Sequence, residues 1–183
     1  MLRELICSPL KSDNRNQNNG REPMLSYETL DTIADSYTPL LALISLALIV
    51  ACLCRAQWRL AGLKIWALGV IALIAYGFMF LDNRLNIWST FKLDYSTHTA
   101  VSLGLIIFLC FNASRLLAVW VVSFIGYALL MLYQGYHTIA DIVTTGIVVG
   151  FPIAWIMTYL YKHFRIANSV SESGGRRSEA SVS

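Results

Sequence analysis

Two histidines and one aspartate stand where apolar segments begin. His98 lies in STHTAV, just ahead of SLGLIIFLCF, while His137 and Asp141 lie in YQGYHTIADIV, which opens the last apolar stretch. On a helix, Asp141 would sit one turn beyond His137 and on the same side. A carboxylate placed there can hold an imidazole N–H, fix its tautomer and raise the basicity of the other ring nitrogen. That nitrogen would serve as nucleophile or base, with His98 donating a proton from a neighbouring helix start. Such a pair suits phosphoryl transfer through a phosphohistidine, which divides one displacement into two. Helix starts also attract phosphate through their unpaired N–H groups, and Ser96, Thr97 and Thr99 add hydroxyls.

Each element has a plainer reading beside this one. Ser96 or Thr97 caps a helix, an isolated His98 is a wetted interfacial residue, and His137 with Asp141 is an ion pair joining two helices. Gly146 and Gly150 form a close-packing face, with Pro152 a kink just beyond it. The functional reading rests on coincidence: three ionisable groups fall within two short polar breaks on one side of a membrane.

That membrane is implied by the rest of the chain. Of 183 residues, 56% are hydrophobic and only 14% charged, and the mean hydropathy is +0.57. A soluble domain carries roughly a quarter charged residues. The apolar residues fall in blocks at about 39–54, 65–81, 97–113, 116–133 and 138–161, near the ~20 residues that a helix needs to cross a bilayer. The expected fold is therefore all-α: an integral membrane bundle of about five helices, residues 38–162, with a further interfacial helix over 24–37. Residues 1–37 form a polar tail containing the low-complexity run SDNRNQNNGREP, and 163–183 form a Ser/Gly-rich cytoplasmic tail expected to be disordered. No signal peptide is expected, and Met24 is an alternative start.

Loop charges give the orientation. Arg55, Arg59, Lys64, Arg115, Lys162 and Arg165 share one side of a five-span chain, and Arg84 and Lys92, balanced by Asp82 and Asp94, share the other. The excess of Lys and Arg marks the cytoplasmic side, which puts His98 and His137 together at the outer face. The small size suits a bacterial inner membrane, with the site facing the periplasm. A net charge of +3 spread over loops and tails is membrane topology, not a nucleic-acid footprint. Cys7, Cys52, Cys54 and Cys110 form no CxxC pair and read as apolar packers, with acylation the alternative for Cys52 and Cys54.

STHTA resembles the Ser-Gly-His-Thr segment of the type 2 phosphatidic acid phosphatase superfamily. HTIADIVTTG is similar to that family's His-x-x-x-Asp-Val segment, with Ile142 in the usual Val place. The likeness covers about residues 65 to 162. It implies a membrane lipid phosphatase or phosphotransferase in which His137 attacks phosphorus, Asp141 orients it, His98 protonates the leaving group and Ser96 binds phosphate oxygens. The pattern departs from the family's: Tyr95 replaces Pro, Thr97 replaces Gly, and the expected Ser-Arg pair falls on Leu130 and Met131. No Lys-x6-Arg-Pro segment ends the second span. Arg84 and Lys92 are the substitutes for that clamp, and Thr97 adds a phosphate-binding hydroxyl. Histidines and aspartate without the full basic clamp also resemble the sphingomyelin and inositol phosphorylceramide synthases, which bind a less charged phosphodiester.

The expected partners are thus the membrane and a lipid phosphate or phospholipid substrate. No metal or other cofactor is expected, since no carboxylate cluster offers a divalent site. The competing readings are a catalytically inactive relative that binds a headgroup or partner, and a non-enzymatic membrane protein. A proton path is disfavoured because ionisable residues stop near one face instead of continuing across.

Overall fold

The computed structural model describes residues 27–180; Cys7, the low-complexity run and the alternative start at Met24 lie outside them. Six α-helices follow in order: α1 (Tyr27–Cys54), α2 (Trp58–Leu85), the single turn α3 (Ile87–Thr90), α4 (Thr97–Asn112), α5 (Leu117–Tyr133) and α6 (Ile139–Ala180). The fold is an all-α bundle. Four of the helices, α1, α2, α5 with its leading 3-10 turn, and α6, are long and apolar enough to cross a membrane.

Packing in the bundle is the reverse of a water-soluble protein's. Large apolar side chains such as Leu43, Trp66, Leu73, Val122, Leu129, Phe151 and Trp155 are exposed, a surface that lipid satisfies and water does not. The interior mixes small and large apolar residues: Ala67, Ile71 and Ala75 from α2, Ala100 and Phe108 from α4, Val149 and Ile153 from α6. Polar side chains lie among them, and two serines use local acceptors. The Ser45 and Ser102 hydroxyls donate to the Leu41 and His98 carbonyls at 2.8 and 2.6 Å, back along their own helices.

The third apolar block behaves differently from the other four. At 16 residues, α4 is about 24 Å long, short of the ~30 Å hydrocarbon thickness. It packs against α1, α2, α5 and α6; surrounded by protein, it need not match the bilayer. Its N-terminus can therefore lie at the bottom of a recess whose walls are the longer helices.

Three expectations change. Over the described part of the expected interfacial helix, residues 27–37, the chain is continuous with the first span through Pro39. Twenty-eight residues make a rod of about 42 Å, so its first turns project beyond the hydrocarbon and stand beside the site. At the other end α6 runs past Lys162 to Ala180, over residues expected to be disordered. Extending an existing helix needs no new nucleus, so the Ser/Gly composition alone does not stop it. Lys64, placed by sequence in a connection, lies instead within α2, buried, with its ammonium 3.5 Å from the Leu48 carbonyl.

The loop from α2 to α4 is held by side chains buried in the bundle. Asn86 closes α2 in the left-handed region, φ 50°, a conformation Asn tolerates better than most residues. Asp82 accepts the Trp88 N–H at 2.8 Å, and Trp88 packs edge-on to Tyr95, ring centres 5.1 Å apart. The Tyr95 hydroxyl donates to the Ala75 carbonyl at 2.7 Å. Burial, followed by the nearby Asp82 charge, pushes this phenol well above its ordinary range. Unfolded tyrosine ionises near pH ~10, whereas the buried phenol stays neutral there. The stability it contributes is therefore intact below that pH and is lost as pH rises further. Tyr95→Phe should lower the melting temperature at pH 8, with a cost of about 1 kcal/mol, and lessen the fall in melting temperature between pH 9 and 11. An alkaline melting series on both proteins in detergent checks this.

Close packing on α4 yields a second test. A Cβ at Gly104 would meet Ile71 Cγ2 at 2.5 Å and Ile153 Cδ1 at 3.3 Å. Gly104→Ala should destabilise the bundle by about 1–3 kcal/mol. At Gly69 nothing lies within 4 Å of an added Cβ, so Gly69→Ala should be neutral or stabilising, since alanine holds a helix better by roughly 0.5–1 kcal/mol. Thermal melts of both variants beside the parent read the difference.

Candidate active site

The strongest local constraint on α6 is at its start. Thr138 is followed three residues later by Asp141, the Ser/Thr-x-x-acid pattern of a capping box. Asp141 Oδ2 accepts both the Thr138 N–H, at 2.8 Å, and the Thr138 hydroxyl, at 2.7 Å. The Asp141 N–H in turn donates to Thr138 Oγ1 at 3.2 Å. Asp141 is 5% exposed, and such a carboxylate must be met by donors.

The remaining oxygen reaches across the bundle. Asp141 Oδ1 accepts the backbone N–H of Asp94 at 2.8 Å. One turn further along α6, Thr145 Oγ1 accepts the backbone N–H of Ser96 at 3.2 Å. Two side chains of α6 thus grip alternate peptides of the strand-like segment 94–96, which leads into α4. This stitching fixes the start of α4 against the start of α6, as the sequence reading requires.

Ser96 caps α4: its Oγ accepts the Thr99 N–H at 3.3 Å and lies 2.8 Å from Thr99 Oγ1. It is fully buried, so in this arrangement the hydroxyl serves the cap and does not face a substrate. Thr97, the first residue of α4, is half-buried. Arg84 is exposed and lies over the Phe80 ring, 5.1 Å from its centre. Lys92 is exposed in the loop at φ 56°. None of these four lines the cavity described next.

His98 and His137 do come together. They line one cavity of about 300 Å³ with Ala34, Asp35, Tyr127, Met131 and Tyr136, at the lower end of the roughly 300–1,000 Å³ usual for small-ligand sites. Its walls come from α1, α4, α5 and the turn before α6. Sequence reasoning missed α1 and α5 here. Asp35 and Ala34 belong to the first turns of α1, and Asp31 just before them accepts a hydrogen bond from the Tyr136 hydroxyl. Tyr127 stacks on Tyr37 with ring centres 4.2 Å apart, and Tyr37 Oη lies 3.0 Å from Ser123 Oγ. These contacts pin α1 to α5 beside the cavity. The period of acids in YETLDTIADSY, Asp31 and Asp35 four apart, was the available signal.

One expected contact is absent. Asp141 forms no hydrogen bond with His137, because its two oxygens are taken by Thr138 and Asp94. His137 Nδ1 is buried without a hydrogen-bond partner, and the carboxylate nearest it is that of Asp94, 4.0 Å away. Among the described residues, no group of three or more His, Cys, Asp and Glu is placed to hold a metal ion.

Chemically, the cavity offers two imidazoles, one carboxylate and phenol rings in an otherwise apolar wall. Among the described residues no Lys or Arg lines it. Comparison with protein-family models, with curated proteins and with solved structures finds no match.

Proposed function

We propose that the protein transfers or hydrolyses the phospho-headgroup of a membrane lipid through a phosphohistidine on His137. The observation that carries this reading is the pair of imidazoles, from two helix starts 39 positions apart, on one cavity at the end of a membrane bundle. The charge of that cavity favours a phosphodiester over a phosphomonoester. A monoester near neutral pH brings close to two negative charges, as protein phosphate groups do, and would meet Asp35 with no Lys or Arg among the described lining residues. A diester brings one negative charge, so a protonated His98 leaves a smaller excess of negative charge beside Asp35 than it would with a monoester.

The His137 Nε2 lone pair forms the N–P bond while the P–O bond to the lipid alcohol breaks. The departing oxygen takes the electron pair and the proton of the His98 imidazolium. In the second step an acceptor hydroxyl gives its proton to His98 and attacks phosphorus, and the N–P electrons return to Nε2. A lipid alcohol as acceptor gives transfer; water gives hydrolysis. Asp141 contributes as the tie that holds the two helix starts in register.

Purified protein should turn over diester lipids such as phosphatidylcholine, phosphatidylethanolamine, phosphatidylglycerol or phosphatidylinositol in vesicles without added metal, and phosphatidic acid more slowly. His137→Ala and His98→Ala should each reduce turnover at least a hundredfold, the scale of nucleophile or general-acid loss. Asp141→Asn should do likewise while membrane insertion persists. Wild-type rates in both His137→Ala and Asp141→Asn across the panel would reject the enzyme reading. The engagement of Ser96 in a cap favours a second reading, an inactive relative that binds a headgroup. Saturable vesicle-lipid binding without turnover in the parent protein would select it.

We further infer a bacterial inner membrane with the cavity on the periplasmic face. Arg55, Arg59 and Arg115 lie at helix ends opposite to those bearing His98 and His137, Lys162 and Arg165 lie on α6 more than twenty residues beyond His137, and the positive side stays in the cytoplasm. Reporter fusions after Leu81 and after Gln134 should both read outside; a cytoplasmic signal from either overturns the orientation.

A further inference from the structure

The nucleophile assigned to His137 needs its other ring nitrogen held, and the residue expected to hold it is occupied. Both Asp141 oxygens accept hydrogen bonds, three in all, from Thr138 and Asp94. His137 itself is little exposed, 12% for the side chain, and its Nδ1 is buried with no partner. Buried ring nitrogens are nearly always paired, and a neutral imidazole carries its proton on whichever nitrogen finds an acceptor. Asp94 supplies one. Its Oδ2 lies 4.0 Å from His137 Nδ1, and its side chain is 78% exposed.

We propose that the Asp94 carboxylate is the positioning residue of the site, accepting the Nδ1–H of His137 and leaving Nε2 bare toward the cavity. This rests on the phosphohistidine reading. The present separation is beyond hydrogen-bond length, about 2.7–3.2 Å for N–H···O. The exposed carboxylate is free to turn, and catalytic hydrogen bonds commonly shorten when substrate binds. The backbone around it is not free: the Asp94 N–H is fixed by Asp141, and the next peptide but one is fixed by Thr145. Asp141 therefore acts on His137 at one remove, by placing the peptide whose side chain reaches the ring. Asp94 lies in the same short segment as the proton donor and precedes it by four residues, so one stretch of chain supplies both the orienting group and His98.

The test exploits the exposure of the side chain. Asp94→Asn keeps the backbone N–H that Asp141 binds and removes no packed surface, so the fold should survive. Histidine-¹⁵N spectra of the detergent-solubilised chain, with His137 assigned by its loss in His137→Gln, report the tautomer directly. The parent should show the proton on Nδ1, Asp94→Asn should shift it toward Nε2, and Asp94→Glu should restore it. With the diester vesicles that the parent turns over, Asp94→Asn should lower kcat about ten- to a hundredfold, the usual cost of losing such an orienting partner. KM should be unchanged, and Asp94→Glu should recover part of the rate. An unchanged tautomer in Asp94→Asn overturns the proposal, as does a shifted tautomer with an unaltered kcat. If the parent turns over no lipid at all, the phosphohistidine reading fails, and the tautomer series alone decides whether Asp94 holds His137.

Discussion

The site depends on one buried carboxylate. Asp141 lies inside the bundle, where an unpaired charge is expensive, and the three hydrogen bonds it accepts are also the contacts that assemble the cavity. Two come from Thr138 and set the first turn of α6. The third comes from the Asp94 peptide, 47 residues earlier. Remove the charge, and the segment leading into α4 loses its fixed point on α6. His98 and His137 would still begin their helices, but of the two side-chain ties between those beginnings only the Thr145 bond to the Ser96 peptide would remain.

A short central helix makes that tie useful. Because α4 is enclosed by α1, α2, α5 and α6, its start need not reach the bilayer surface. Its close approach to α2 at Gly104, where Ile71 leaves no room for a Cβ, keeps it seated deep. The long first helix supplies the missing wall, carrying Ala34 and Asp35 to the cavity and Asp31 to Tyr136.

The helices were legible because lipid imposes a crude, strong rule: apolar stretches of sufficient length become helices. Both histidines at helix starts followed from the same blocks, and the close-packing reading of Gly150 agrees with Leu103 Cδ2 at 2.8 Å from an added Cβ. What could not be read were choices among partners. Asp141 has His137 and Thr138 at nearly equal sequence spacing, and spacing alone favours neither. The Thr138-x-x-Asp141 capping signature points to the local bond, and the one-turn spacing from His137 points equally well to the histidine. Ser96 likewise fits a cap and a phosphate donor equally well until Thr99 is seen to occupy it. The role of α1 was hidden for a different reason. Its polar first turns look like an independent surface segment, and only continuity through Pro39 makes them a wall.

Tyr95 stiffens the chain just before Ser96. A proline at this position would do so by fixing one dihedral. This chain stiffens the same point from outside, by packing Tyr95 on Trp88 and bonding its hydroxyl to Ala75. Proline would also lack a backbone N–H, but the peptides used for stitching are those of Asp94 and Ser96 on either side. Residue 95 therefore has no N–H duty to α6 and is free to be an anchor. The anchored peptide and its two stitched neighbours form one rigid unit, and the carboxylate of Asp94 is the part of it left free to move.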